Sequence, residues 1–262
     1  MTSRPESARF EAGSFDAYEL AALKRDMGLG VSVCIPACNE AGTVGQVAGA
    51  VQDKLVDAAG LVDEVLVVDD GSADATAEVA QEAGARVLRL PSTQGKGAAM
   101  RRGLEETSGD IVVYCDADLY SFDPQFVVGL AGPLLTQPEL VLVKASYDRP
   151  LGTQPGEGGR VTQLVARPLL AILFPGLAWV SQPLAGETAA RRSALQRVEF
   201  EAGYGVETGL LIDIARLFGT GAIAQCHLGE RRHRNRPLAE LAPQAETIMR
   251  VALRRAGLLP AG

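Results

Sequence analysis

From residue 29 onward the chain alternates between short, nearly continuous apolar runs and longer stretches with helical spacing. Val31–Pro36, Glu64–Asp69, Ala85–Leu90 and Ile111–Cys115 are the apolar runs. Between them, Thr43–Ala59, Asp74–Ala83 and Lys96–Thr107 repeat apolar residues one turn apart, as Val44, Val47, Val51 and Leu55 do. Strands that are apolar on both faces and alternate with helices predict an α/β fold with a mainly parallel, Rossmann-like sheet and helices on both faces.

The second half is less regular. Leu140–Lys144 and Ala222–His227 read as strands, and Arg160–Leu173, Val206–Leu217 and Leu238–Leu258 as helices. Gly152–Gly159 is a glycine-rich loop and Glu230–Pro237 is densely basic. Residues 1–28 are polar and then carry a short helical pattern around Tyr18, Leu20, Leu23 and Met27, which predicts an arm ahead of the main body. No Pro/Ser-rich linker divides that body, so residues 29–145 and 146–262 are expected as two halves of one continuous domain.

Composition narrows the class. Apolar residues make up 47% of the chain and charged residues 22%, which is globular composition. With 25 Lys and Arg against 32 Asp and Glu, the net charge is −7, a poor match to a nucleic-acid partner. Four cysteines are too few for a secreted disulfide scaffold, and Cys34 and Cys38 read as thiols rather than as a zinc site. Met1–Glu11 carries charges and no apolar core, so no signal peptide is expected. Leu164–Val180 is the most apolar stretch, but Arg167, Pro168 and Pro175 interrupt it, and a membrane span is not expected. A soluble, cytoplasmic protein is the expectation.

Ligands of open parallel sheets bind beyond the carboxyl ends of the strands. The first strand runs into Pro36-Ala37-Cys38-Asn39-Glu40, the second ends in Asp69-Asp70-Gly71-Ser72 with Asp74 and Thr76 behind it, and the fourth ends in Asp116-Ala117-Asp118. Three acidic groups on one edge repel unless a cation or a ligand's donors stand between them. Asp69–Asp74 alone reads as turn and helix-cap chemistry, with Ser72 or Asp74 as cap. Asp116 and Asp118, two apart after a buried strand, suit a hard divalent ion that bridges phosphate oxygens, Mg2+ or Mn2+.

Gln94-Gly95-Lys96-Gly97 invites a phosphate-loop reading, which fails. The positions that should be glycine and Ser/Thr hold Leu90 and Gly97. No G-x-G-x-x-G follows the first strand, which disfavours a dinucleotide site. Lys96 reads either as a cation for a diphosphate at a helix start or as a surface lysine.

In order, Pro36-Ala37-x-Asn39-Glu40, Asp69-Asp70-Gly71-Ser72-x-Asp74-x-Thr76, Gly95-Lys96-Gly97 and Asp116-x-Asp118 resemble the nucleotide-sugar half of GT-A glycosyltransferases. Gly159-Arg160-Val161-Thr162, Gln182-Pro183-Leu184-x-Gly186-Glu187, Gly203-Tyr204-Gly205-Val206-Glu207 and His233-Arg234-Asn235-Arg236-Pro237-Leu238 resemble the glucosyl-3-phosphoglycerate synthase family more specifically. The resemblance covers roughly residues 30–240, with Cys38, Asp70, Ala117 and Thr188 as departures.

This resemblance implies a GT-A fold whose 29–145 half binds a nucleotide-sugar donor and whose 146–262 half, closing in a helix, binds a phosphorylated small-molecule acceptor. It implies a retaining, metal-dependent transfer of glucose from NDP-glucose, UDP-glucose foremost, to 3-phospho-D-glycerate. Pro36, Ala37, Cys38, Glu40, Asp70, Lys96, Asp116 and Ala117 would contact the donor. Asp118 and His233 would ligate Mg2+ or Mn2+, and Asp116 would lie by the ribose. Gly159, Arg160, Thr162 and Asn235 would hold the acceptor, where arginine's planar fork suits a phosphate. Glu207, Asp118 and Lys96 would serve the chemistry, and a homodimer is implied. A mannosyl-3-phosphoglycerate synthase, a polyprenyl-phosphate sugar transferase and a non-catalytic nucleotide-sugar-binding module are the alternatives.

Overall fold

A computed structural model describes residues 8–148, 159–230 and 238–260. Its strands are β1 (Arg9–Glu11), β2 (Val31–Ala37), β3 (Glu64–Asp69), β4 (Arg86–Arg89), β5 (Ile111–Tyr114), β6 (Leu142–Asp148), β7 (Thr188–Arg191) and β8 (Ile223–Glu230). Its helices are α1 (Ala17–Met27), α2 (Val44–Val51), α3 (Thr76–Glu82), α4 (Lys96–Glu106), α5 (Gln125–Thr136), α6 (Arg167–Leu173), α7 (Arg192–Leu195), α8 (Val206–Phe218) and α9 (Leu238–Arg255). Helix α2 runs on as a π-helical stretch over Gln52–Ala58, and another, Thr162–Ala166, leads into α6.

All eight strands make one sheet in the order β1-β8-β6-β7-β5-β2-β3-β4. Every neighbouring pair is parallel except the two that β7 makes, antiparallel to both β5 and β6. The sheet alternates its apolar residues between two cores. Val33, Ile35, Val65, Val67, Val113 and Val143 face one core with Val47, Leu20 and Leu130 of the helices on that side. Cys34, Leu66, Val68, Val112, Tyr114 and Leu142 face the other, with Met100, Leu104, Leu210 and Ala252. Each fully buried side chain of this size contributes about 1.5–3 kcal/mol, which is why both faces must be covered.

The described part of residues 1–28 belongs to this body. β1 pairs with β8 in the register Arg9↔Gln225, Phe10↔Cys226 and Glu11↔His227. Asp16 caps α1 by accepting from the amides of Tyr18 and Glu19, and Gly28 ends that helix in the left-handed conformation. Cys34, Cys115 and Cys226 are buried, Cys38 is half-buried, and all four are free thiols. Burial pushes the Cys34 thiol up to about 12. Among the described residues no helix is long and apolar enough to cross a membrane.

Candidate functional site

Because β5, β2 and β3 are adjacent and parallel, the three polar segments beyond their carboxyl ends open on one edge of the sheet. The two that follow β2 and β3 are laced together by their own side chains. Asn39, the one described non-glycine residue with positive φ (59°), donates its amide to Ser72 Oγ (2.9 Å) and accepts from the Ala73 amide (2.9 Å). The Glu40 amide donates to Thr76 Oγ1 (2.8 Å), and Asp74 accepts from the Thr76 amide (3.0 Å). Pro36 and Ala37 end β2, and Cys38 comes next with its sulfur 3.9 Å from Thr93 Oγ1. Asp70 is buried, and its two oxygens accept from the amides of Gln94 (2.7 Å) and Gly95 (2.8 Å). A buried carboxylate spent on two backbone amides fixes the loop that delivers Lys96.

Lys96 is the first residue of α4. Its Nζ lies 2.7 Å from Asp116 Oδ1, after β5, and 2.7 Å from Glu207 Oε1, in the first turn of α8. Glu207 is buried, whereas the Lys96 and Asp116 side chains keep about a fifth of their surface. Burial works against the ammonium, but the charges and hydrogen bonds of Asp116 and Glu207 outweigh it and hold the lysine well above its ordinary value. The glycines around Lys96 serve this meeting. A Cβ on Gly97 would fall 1.6 Å from the Glu201 carbonyl oxygen, and one on Gly95 would fall 2.5 Å from that of Ala202. The Gly97 amide donates to Ala202 O (3.0 Å), so α4 docks backbone-to-backbone against the segment that starts α8. Arg254 and Arg255 of α9 clamp the same segment through Glu201, and Arg255 also pairs with Asp213 (2.9 Å).

β7 runs against its neighbours, so its start lies at the edge where β5 and β6 end. That brings the Ala185–Thr188 turn into the site. Gly186 packs against Asp116 so closely that a Cβ there would fall 2.2–2.5 Å from the carboxylate. Glu187 is fully buried and accepts from the Tyr147 hydroxyl. Lys144 of β6, also buried, donates to the Ala185 carbonyl and to Thr188 Oγ1 (2.9 Å). Further along this edge a cleft of about 330 Å³ opens among Ser146, Tyr147, Gln163, Arg167, Gln182 and His227.

Thus the structure joins Lys96, Asp116 and Glu207 directly and places Pro36 and Ala37 at the end of β2 and Cys38, Glu40, Asp70 and Ala117 on the surrounding loops. Asp118 is exposed two residues beyond Asp116. An oxygen donor of this kind fits a hard divalent ion whose shell is completed by phosphate oxygens and water. Gly159 precedes the helix 160–173, Arg160 begins it and Thr162 is buried within it. His233 and Asn235 lie outside the described residues, as do most of the glycine-rich loop and the basic segment. Among the described residues no group of three His, Cys, Asp or Glu is gathered around one point. Lys144 and Tyr147 do not stand out in the sequence; a lysine at the end of an apolar run looks like the end of the strand, and here it is the middle.

The model of the family described as Glycosyl transferase family 2 matches residues 32–160. Glucosyl-3-phosphoglycerate synthase of Mycolicibacterium smegmatis is 47% identical over 246 residues, covering 90% of this chain and 80% of that protein. The crystal structure of mannosyl-3-phosphoglycerate synthase from Rubrobacter xylanophilus superposes with a TM-score of 0.89 at 41% identity, over 97% of this chain and 83% of that one. Glucosyl-3-phosphoglycerate synthase from Mycobacterium tuberculosis, in complex with Mn2+, UDP-glucose and phosphoglyceric acid, superposes with a TM-score of 0.85 at 45% identity, over 100% and 88% of the two chains. The same enzyme with Mg2+ and UDP gives 0.88 at 45% identity, over 98% and 89%.

Proposed function

The chain belongs to the glucosyl-3-phosphoglycerate synthase family of GT-A glycosyltransferases, and from that premise we propose that it is a metal-dependent retaining glucosyltransferase acting on NDP-glucose, with UDP-glucose as the donor, and 3-phospho-D-glycerate. The bond from glucose C1 to the β-phosphate oxygen breaks, a bond from C1 to the single free hydroxyl of the acceptor forms, and UDP and one proton are released. The observation that carries this reading is the meeting of Lys96, Asp116 and Glu207 at the sheet edge, in a chain whose two halves both match that family.

Each residue has its role in this reading. Pro36, Ala37, Cys38, Glu40, Asp70 and Ala117 shape the donor pocket, and Asp116 faces the ribose. Lys96, held charged by its two carboxylates, offsets negative charge gathering on the departing diphosphate. Asp118 and His233 hold Mg2+ or Mn2+, which supplies Lewis-acid stabilisation of that diphosphate when bound. Glu207, fixed by Lys96, orients a hydroxyl of glucose or acceptor. Gly159, Arg160, Thr162 and Asn235 grip the acceptor, and the neighbouring polar cleft beside Gln163 and Arg167 supports an acceptor on that side.

The 29–145 half serves the donor and the 146–262 half the acceptor, with residues 1–28 as an N-terminal arm whose described part is docked on the body through β1. A homodimer in the cytoplasm is proposed. Leu164 and Ile172, 74% and 76% exposed on the helix 160–173, supply apolar surface for a self-contact, and four free thiols suit a reducing compartment.

A donor-by-acceptor matrix tests the reading: UDP-glucose and GDP-mannose against 3-phosphoglycerate, glycerate and a polyprenyl phosphate, with and without EDTA. Product is expected from UDP-glucose with 3-phosphoglycerate, only when metal is present. Faster turnover with GDP-mannose, or with the lipid phosphate, would replace it.

A further inference from the structure

Lys144 has no place in the roles above, yet it is a fully buried cation beside the site. We propose that Lys144 is a positioning residue of the transferase centre: it holds the Ala185–Thr188 turn against Asp116 and supplies a second positive charge beneath the cluster. The inference rests on the transferase reading and deepens it.

Three observations support it. First, the Lys144 side chain is 2% exposed and its bonds go to the Ala185 carbonyl and to Thr188 Oγ1, flanking Gly186, the residue that lies flush against the Asp116 carboxylate. Release of the turn therefore frees Asp116 to move, and with it one of the two partners of Lys96. Second, Lys144 sits on the same sheet face as Leu142 and Tyr114, the face on which α4 and α8 bring Lys96 and Glu207. The charged groups that act on it are Glu207 from α8, Lys96 from α4, Glu187 from the turn before β7 and Asp116 from the end of β5. Three carboxylates thus face two lysines, so removal of either lysine raises the excess of negative charge from one to two where a diphosphate must bind. Third, the cost of this arrangement shows in the group itself. Burial pulls the Lys144 ammonium down to about 8, against the pull of Glu207, Glu187 and Asp116 and with the push of Lys96.

A lysine kept only for structure has a different signature. A neutral amine still donates to Ala185 and Thr188, so deprotonation leaves the turn in place and removes only the charge. Below a pH of about 8 the charge is present, and it is lost as pH rises through that value. Since the same ammonium binds its proton more tightly in the unfolded chain, carrying the charge in this buried position costs the fold some of its stability.

The test is steady-state kinetics of wild type, Lys144→Met and Thr188→Val across the neutral and alkaline range, with UDP-glucose, 3-phosphoglycerate and metal at saturation, alongside thermal unfolding. Wild-type kcat is expected to fall as pH rises through about 8. Lys144→Met should lose about ten- to a hundredfold in kcat at neutral pH and lack that alkaline limb, at a temperature where its melting curve shows it folded. Thr188→Val, which keeps the lysine and removes one acceptor, should move the limb to lower pH. A Lys144→Met protein with kcat within about twofold of wild type and the limb retained overturns the inference, as does a fall in Tm with unchanged kinetics. If that variant fails to fold, an unmoved limb in Thr188→Val overturns it. Wild type that makes no product from these substrates sinks the transferase reading and this inference with it, a result distinct from an active wild type with an indifferent Lys144.

Discussion

Glu207 Oε1 stands 2.7 Å from Lys96 Nζ, and the two residues come from the first turns of different helices that meet beside the Glu201–Ala202 backbone. The pair does two things at once. It seats a carboxylate in a buried position without leaving it uncompensated, and it ties the loop after β4 to the start of α8. The lysine is shared, since Asp116 holds it at the same distance.

Lys96→Met should therefore lower kcat by about two to three orders of magnitude, the size of effect seen when a preorganised charge-stabilising donor is removed. It leaves Asp116 and Glu207 facing each other unscreened, so Tm should drop too. Steady-state rates and a melting curve read both; kcat within a few fold of wild type would contradict the role.

Gly97→Ala should act on the same pair without touching a charge. The added methyl would lie 1.6 Å from the Glu201 carbonyl oxygen, which is backbone and cannot swing aside. Overpacking of this kind costs about 1–3 kcal/mol, and α4 must shift away from α8 to relieve it. Reduced Tm together with reduced kcat is expected; an unperturbed enzyme would show that the two backbones separate freely.

Chelation should abolish turnover, and Mg2+ or Mn2+ should restore it. Asp118→Ala should cost several kcal/mol of transition-state stabilisation, about a thousandfold or more in kcat, while UDP still binds. Metal titrations of the variant, followed by NDP release, check this, and a wild-type rate at ordinary metal concentration would reassign the ligand.

Arg160→Ala should raise the 3-phosphoglycerate KM by about ten- to a hundredfold, the worth of a charge-assisted hydrogen bond, with donor affinity nearly unchanged. Arg160→Lys should recover part of that loss, because an ammonium lacks the two-pronged geometry. Kinetics with 3-phosphoglycerate and glycerate separate this from a helix-start role, in which neither substrate would be affected selectively.

Acid should loosen the fold through Glu64. Burial alone would raise this carboxyl, but bonds from the Ser108 amide, the Ser32 and Ser108 hydroxyls and Arg86 bring it down to about 2. The group titrates higher in the unfolded chain, so its contribution is intact above about 4.5 and fades as pH falls toward about 2. Glu64→Gln should lose less stability than wild type between neutral and acid pH; parallel urea curves at both pH values test it.

What the sequence disclosed depended on how each residue is buried. Glu64–Asp69 and its sister strands are apolar on both faces, and their bounds agree with the periodicity to within a residue or two. Helix α5 left no such mark: Phe126–Leu135 is buried on every side, so no polar face sets a helical period. β7 is Thr-Ala-Ala-Arg, too small and short to read as a strand, and its reversed direction is a property of the sheet alone. The three motifs at the strand ends were legible because their chemistry is local. Why Gly95 and Gly97 flank Lys96 was not, since the reason is the backbone of Glu201 and Ala202, brought there only by the completed fold.

The pairing of β1 with β8 has a consequence for how the protein comes into being. Residues 31–114 contain the whole β5-β2-β3-β4 side of the sheet, so a nascent chain can assemble that side while the rest is still being translated. β1 precedes that side in the chain, yet it has no strand partner until Ile223–Glu230 leaves the ribosome. Until then β1 lacks its strand partner, although the turn behind it already has α5 to pack on, where Gln125 donates to the carbonyls of Ala12 and Phe15. A strand edge left open for that long presents unpaired backbone groups to other chains until β8 covers it.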